Sequence, residues 1–147
     1  MTLSLNPARS SPPPGKPKIL VVDDDRSVRQ AFTWVLQDLD CLVVAAANLA
    51  DALAQMTRME FTPDAVIVDF HLEGGVSGFD VIHLLRQLFS VDLPAVMITG
   101  DAAITDSDER MVQDIRCQGI RCLSKPVGYS DLDGLIAEIK VGIDPAR

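Results

Sequence analysis

The stretch Ile19-Leu20-Val21-Val22-Asp23-Asp24-Asp25 constrains this chain more than any other: an uninterrupted aliphatic run that ends abruptly in three acids. Four consecutive aliphatic residues, three of them β-branched, predict a strand buried on both faces, as in a parallel sheet. Carboxylates placed where such a strand emerges crowd negative charge into a small volume. That is costly unless a cation or protons neutralise it. The sequence question is therefore which cation they hold, and for what substrate.

The chain of 147 residues is long enough to bury a real core and fits a single domain. Only residues 1–17 depart from globular composition. Their Ser10-Ser11-Pro12-Pro13-Pro14-Gly15-Lys16-Pro17 segment resists helix and ladder formation and reads as a flexible, Pro-rich tail. Residues 18–142 read as the folded domain and 143–147 as a short C-terminal tail. A formal charge of -8 sets repulsion against a phosphate backbone, which argues against direct nucleic-acid binding. Cys41, Cys117 and Cys122 are odd in number and lack zinc-ligand spacing, so a reducing, cytoplasmic setting is expected. No apolar run approaches the roughly 18 residues of a membrane span.

Downstream, aliphatic runs alternate with helical periodicity. Asp25 is placed to cap a first helix carrying Val28, Ala31, Phe32, Val35, Leu36 and Leu39 on one face, with Trp34 partly buried at its edge. Leu42–Ala45 predicts a second strand. Asn48 with Asp51 opens a helix bearing Leu49, Ala52, Leu53 and Met56. Ala65–Val68 predicts a third strand ending in Asp69, and 74–78 a loop. The helix after it carries Phe79, Ile82, Leu85, Leu88 and Phe89 at core spacing, with His83 facing solvent. Ala95–Ile98 is a fourth strand ending in Thr99, and a mostly polar helix is expected within 102–119. Ile120–Leu123 is a fifth strand followed by Ser124-Lys125-Pro126. Ser130 with Asp133 is read as the cap of a last helix whose Leu132, Leu135, Ile136 and Ile139 face inward. Strands alternating with helices predict an α/β fold with an open, doubly wound parallel sheet and helices on both faces.

In such sheets the ligand site lies outside the carboxyl ends of the strands. Reading the residue after each aliphatic run gives Asp23 and Asp24, then Asp69, Thr99 and Lys125. Singly, each is an ordinary turn or surface residue. Together they form an oxygen-only ligand set suited to magnesium, with a hydroxyl and an ammonium beside a carboxylate nucleophile, which is what phosphoryl transfer needs. Dinucleotide and Walker-type glycine motifs are absent, and a flavin phosphate would meet three carboxylates at the first turn. The histidines, His71 and His83, are not placed as the base of a serine or cysteine hydrolase.

The run Ile19 to Asp24, Val68-Asp69, Ile98-Thr99-Gly100 and Leu123-Ser124-Lys125-Pro126 resemble, in order and spacing, the receiver domain of two-component response regulators, chemotaxis-regulator-like, over about 18–142. The resemblance implies the flavodoxin-like strand order 2-1-3-4-5. It implies that Asp69 accepts a phosphoryl group from a sensor histidine kinase or a histidine phosphotransfer protein. Asp24 and Asp69 would bind Mg2+ directly, Asp23 through water, and the backbone carbonyl of His71 would complete the site. Lys125 would pair with a phosphoryl oxygen, Thr99 would turn to hydrogen-bond it, and the Lys125-Pro126 bond resembles one that is cis in the family.

Three departures stand out. Glu73 occupies a position where the family usually has proline, and Gly74-Gly75 adds a residue to that loop, which resembles receivers on hybrid kinases. Cys122 falls where the family has a switch aromatic. The segment between Thr99 and Lys125 is longer than usual.

The expected protein is a phosphorylation-dependent switch, monomeric or weakly dimeric, whose output is contact with a downstream protein or onward phosphorelay. With Arg147 soon after the last expected helix, an output domain is not expected in this chain. Enzymatic activity would not exceed self-phosphotransfer and autodephosphorylation. Two other readings stay open at this stage. One is a receiver-like interaction module not controlled by phosphorylation. The other is an aspartyl-phosphate phosphatase, for which His71 is the visible acid or base.

Overall fold

The structure, a computed structural model, describes residues 15–100 and 119–142. The helix expected within 102–119 and both chain ends lie outside them. Five strands, β1 (Lys18–Val22), β2 (Leu42–Ala46), β3 (Ala65–Asp69), β4 (Ala95–Thr99) and β5 (Ile120–Ser124), pair in the order β2-β1-β3-β4-β5. All four pairings are parallel. The expected doubly wound sheet is thus present in the expected order.

The described helices are α1 (Arg26–Asp38), α2 (Leu49–Met59), α3 (Gly78–Leu88) and α4 (Tyr129–Gly142). Alternating side chains divide the core into two layers. Leu20, Val22, Val66, Val68 and Met97 pack with Ala52 and Met56 of α2 and Val81, Ile82 and Leu85 of α3. Ile19, Val21, Ile67, Val96 and Ile98 pack with Phe32 and Leu36 of α1 and Leu132, Leu135, Ile136 and Ile139 of α4. The central strands are therefore covered on both faces, which is why they read as unbroken aliphatic runs.

Helix ends follow local chemistry, with corrections to the sequence reading. Asp25 caps α1, accepting from the N–H groups of Ser27 at 2.8 Å and Val28 at 3.3 Å. Asn48 caps α2 through the Asp51 N–H. Helix α4 begins at Tyr129 and not beyond Ser130: the Asp131 carboxylate accepts the Gly128 N–H, so the Ser130–Asp133 cap is not formed. Gly78 is the first residue of α3 and not loop, because Ser77 and Asp80 exchange the reciprocal hydrogen bonds of a capping box.

Parts of two predicted stripes are wet. Ala31 is exposed on α1, Leu88 is 59% exposed and Phe89 lies past the last turn of α3. Trp34, read as partly buried, is 63% exposed. On α1 the buried stripe is thus narrower than its apolar spacing, and on α3 the apolar spacing continues into an exposed end. Pro17, read as part of the tail, is buried and its carbonyl accepts the Leu42 N–H.

Candidate functional site

Strand register sets the site. Val22 is level with Val68, so Asp23 leaves β1 beside Asp69, the last residue of β3. Asp69 is level with Ile98, and Thr99 is level with Ser124, so Lys125 follows β5 at the same edge. By alternation, Asp23, Asp69 and Lys125 fall on the α1/α4 face of the sheet, while Thr99 and Cys122 fall on the α2/α3 face.

The three acids converge: Asp23, Asp24 and Asp69 each offer an oxygen within 4.8 Å of the others. Asp23 is 1% and Asp69 6% exposed, and Asp24 is half-buried. Lys125 Nζ lies 3.5 Å from Asp69 Oδ1 and 3.7 Å from Asp23 Oδ2. Asp23 Oδ1 accepts the Asp25 N–H at 2.9 Å, but Asp23 Oδ2 is buried with no hydrogen-bond partner. Asp24 Oδ2 accepts the Glu73 N–H at 3.1 Å. The Thr99 hydroxyl donates to the Leu123 carbonyl at 3.4 Å, and the Lys125 N–H donates to the Thr99 carbonyl, drawing the ends of β4 and β5 together. The Lys125-Pro126 peptide is cis.

The electrostatics follow from this crowding. Burial pushes the Asp23 carboxyl above the usual range, the Asp25 amide opposes it, and the Asp69 charge adds to it. Burial likewise pushes Asp69 up, against the pull of Lys125 and of the His71 amide. Among the described residues one ammonium pairs with two of the three carboxylates, and one buried oxygen has no hydrogen-bond donor. A hard divalent cation on an all-oxygen donor set answers both deficits, so these residues fit Mg2+.

The same imbalance fixes a pH dependence. A carboxyl whose folded pKa is raised costs stability above that pKa, and the cost is relieved as pH falls through it toward the unfolded value. Without divalent cations, Asp23→Asn is therefore expected to stabilise the protein at neutral pH by on the order of 1 kcal/mol, since it removes one buried like charge and keeps the Oδ1 acceptor. The gap between variant and wild type should narrow as pH falls, measured by urea denaturation at a series of pH values. A constant gap would mean that carboxylate crowding is not its source.

The loop after Asp69 folds tightly against the sheet. The Phe70 N–H donates to the Ile98 carbonyl, and the Gly78 N–H returns to the Phe70 carbonyl at 2.9 Å. Between them a 3-10 turn, Glu73–Gly75, holds Gly74 at φ 84. At Gly78 a Cβ would stand 2.4 Å from the Asp69 carbonyl oxygen. The His71 side chain is exposed, edge-on to Phe70 with ring centroids 4.7 Å apart, while its N–H serves Asp69.

Asp23, Asp24, Asp69, Thr99 and Lys125 thus reach one edge, and His71 follows in the loop after Asp69. Three contributors were not singled out. Arg29 donates to the Asp23 carbonyl at 2.8 Å and pins the β1–α1 turn. The Glu73 amide reaches Asp24, and Gly78 admits the α3 terminus to Asp69. A backbone donor leaves no trace in residue identity, but a Gly opening a helix is a readable sign of close approach.

Residues 19–137 match the family model described as the response regulator receiver domain. The chain belongs to the response regulator receiver family. The phosphate regulon transcriptional regulatory protein PhoB of Escherichia coli is 30% identical over 129 residues, covering 87% of this chain and 53% of that protein. The receiver chain thus spans about half the length of the first curated relatives it matches. The chemotaxis response regulator CheY4 of Vibrio cholerae is similar in structure, with TM-score 0.67 and 28% identity over 85% of this chain and 99% of that one. A receiver domain from Clostridium thermocellum, 21% identical, shares the fold with TM-score 0.72 over 89% of this chain and 99% of its own. Receivers of two-component systems are generally phosphorylated on an aspartate, typically bind Mg2+ at an acidic pocket, and partner with histidine kinases or phosphotransfer proteins. Among the described residues no helix is long and apolar enough to cross a membrane.

Proposed function

We propose that this receiver, carried by residues 18–142, accepts a phosphoryl group on Asp69 from a phosphohistidine of a sensor kinase or phosphotransfer protein, and signals through a protein target or onward phosphorelay. The observation that carries the reading is the convergence of Asp23, Asp24 and Asp69 with Lys125 at the carboxyl edge of the sheet. An Asp69 oxygen attacks phosphorus, a P–O bond forms as the P–N bond breaks, and the histidine imidazole leaves. Asp24, Asp69 and the His71 carbonyl would hold Mg2+, with Asp23 acting through water, and the ion would supply neutralisation of the phosphoryl oxygens. Lys125 pairs with one of those oxygens in place of its present partners.

The Thr99 hydroxyl, now on the Leu123 carbonyl, turns to another phosphoryl oxygen. Because Thr99 lies on the α2/α3 face, that turn carries the state of Asp69 through the sheet. Cys122 packs half-buried against the core of that same face. A threonine-to-aromatic relay therefore has no aromatic here, and the output passes through other groups. With Mg2+ and beryllofluoride, a phosphoryl mimic, the backbone resonances of Thr99 and Leu123 are expected to shift in wild type and to stay in place in Asp69→Asn. Shifts of equal size in the two proteins would refute the assignment, and affinity for a partner that the mimic leaves unchanged would favour a constitutive interaction module.

A further inference from the structure

Resting on the cation site just proposed, we infer that the backbone amide of Glu73 is a positioning group for it, fixing Asp24 before any cation binds. Two features carry this. The Glu73 N–H donates to Asp24 Oδ2 at 3.1 Å, across forty-nine residues of sequence. Asp24 is also the least buried of the three acids and, unlike Asp23 and Asp69, lies outside the Lys125 ion pairs. Asp23 is held by the Asp25 amide, and Asp69 by Lys125 and the His71 amide. Asp24 has the loop instead.

A carboxylate has two oxygens. Tethering one to an amide costs rotamer freedom once, at folding, and leaves the other oxygen aimed with less entropy to lose on ligation. The tether comes from the turn Glu73–Gly75, whose Gly74 at φ 84 lets the chain double back. The donor is thus set by the acceptor loop, and the loop and the cation site share one hydrogen bond. A partner that bends this loop would change cation affinity without touching a ligand.

Proline at position 73 deletes this donor and little else. Leu72 already has φ −112 and ψ 151, the extended conformation that a following proline requires. Glu73→Ala is the matched control, since both variants lose the carboxylate and only the alanine keeps the N–H. Calorimetric titration with Mg2+ is expected to show Glu73→Pro binding roughly tenfold more weakly than Glu73→Ala, the lower end of what an orienting partner contributes to a metal site. Equal affinities overturn the inference.

A second measurement does not depend on the proline variant folding. In cation-free wild type the Glu73 amide is expected to exchange slowly with solvent, and Asp24→Ala is expected to release it selectively. Unprotected exchange in wild type also overturns the inference. If wild type bound no Mg2+, the underlying cation reading would fall, while the amide exchange would still report whether the tether exists.

Discussion

Incubated with a small acyl phosphate and Mg2+, the wild-type chain is expected to gain the mass of one phosphoryl group, and Asp69→Asn none. The argument is geometric. Asp69 ends the central strand with its carboxylate against Lys125, so an attacking oxygen has an ammonium beside it and two further acids positioned to share a cation. An amide in its place keeps shape and hydrogen bonding but has no nucleophilic oxygen. Asp23 is a poor substitute because one of its oxygens is committed to the Asp25 amide and the other is buried behind Lys125. Intact-mass spectrometry reads the outcome directly. An adduct that persists in Asp69→Asn would place the acceptor elsewhere. Steady hydrolysis of phosphate esters beyond one equivalent would instead make the protein a phosphatase, with the exposed His71 as its acid or base.

Gly78→Ala is expected to be among the most damaging single methyl additions available to this chain, costing about 3 kcal/mol, at the upper end for overpacking. The new Cβ would meet the Asp69 carbonyl oxygen at 2.4 Å, and both that atom and the next nearest belong to the backbone, so no side chain can swing aside. Relief requires α3 to move away from β3, which pulls on the bond from the Gly78 N–H to the Phe70 carbonyl and on the peptide of Asp69 itself. Phosphoryl uptake should fall along with stability. Gly134→Ala provides the contrast: it sits in α4 with nothing within 4 Å of the added carbon and is expected to stabilise by roughly 0.5–1 kcal/mol through helix propensity. Chemical denaturation of the two variants checks both signs, and equal stability of Gly78→Ala and wild type would mean the contact is not enforced.

Most of the sheet was legible because β1 and β3 are buried on both faces, and burial on both faces leaves no polar residue to blur a strand. Its carboxyl edge was legible for the related reason that Asp23, Asp24, Asp69, Thr99 and Lys125 interrupt aliphatic runs where a polar residue is conspicuous. What escaped was set by features that residue identity does not encode. The start of α3 was misplaced because Gly78 is a poor helix former on propensity, and the Ser77–Asp80 box together with the close approach to Asp69 overrides that preference. Leu88 and Phe89 continue the apolar period of α3 into its exposed end, so periodicity alone extended the core too far. At the start of α4, two Asp residues lay three positions after possible caps, and the pairing of Gly128 with Asp131 was decided by the backbone.

The separation of the site over different strands has a consequence for the chain as it is made and unmade. Asp23 and Asp24 follow β1, Asp69 ends β3, and Lys125 follows β5, with parallel pairings joining strands through β4. No local fragment contains the nucleophile, both flanking acids and the ammonium. Long-range closure comes before chemistry. On the proposed reading, a nascent or half-unfolded chain is chemically silent, and the capacity to carry a signal doubles as proof that the molecule has finished folding.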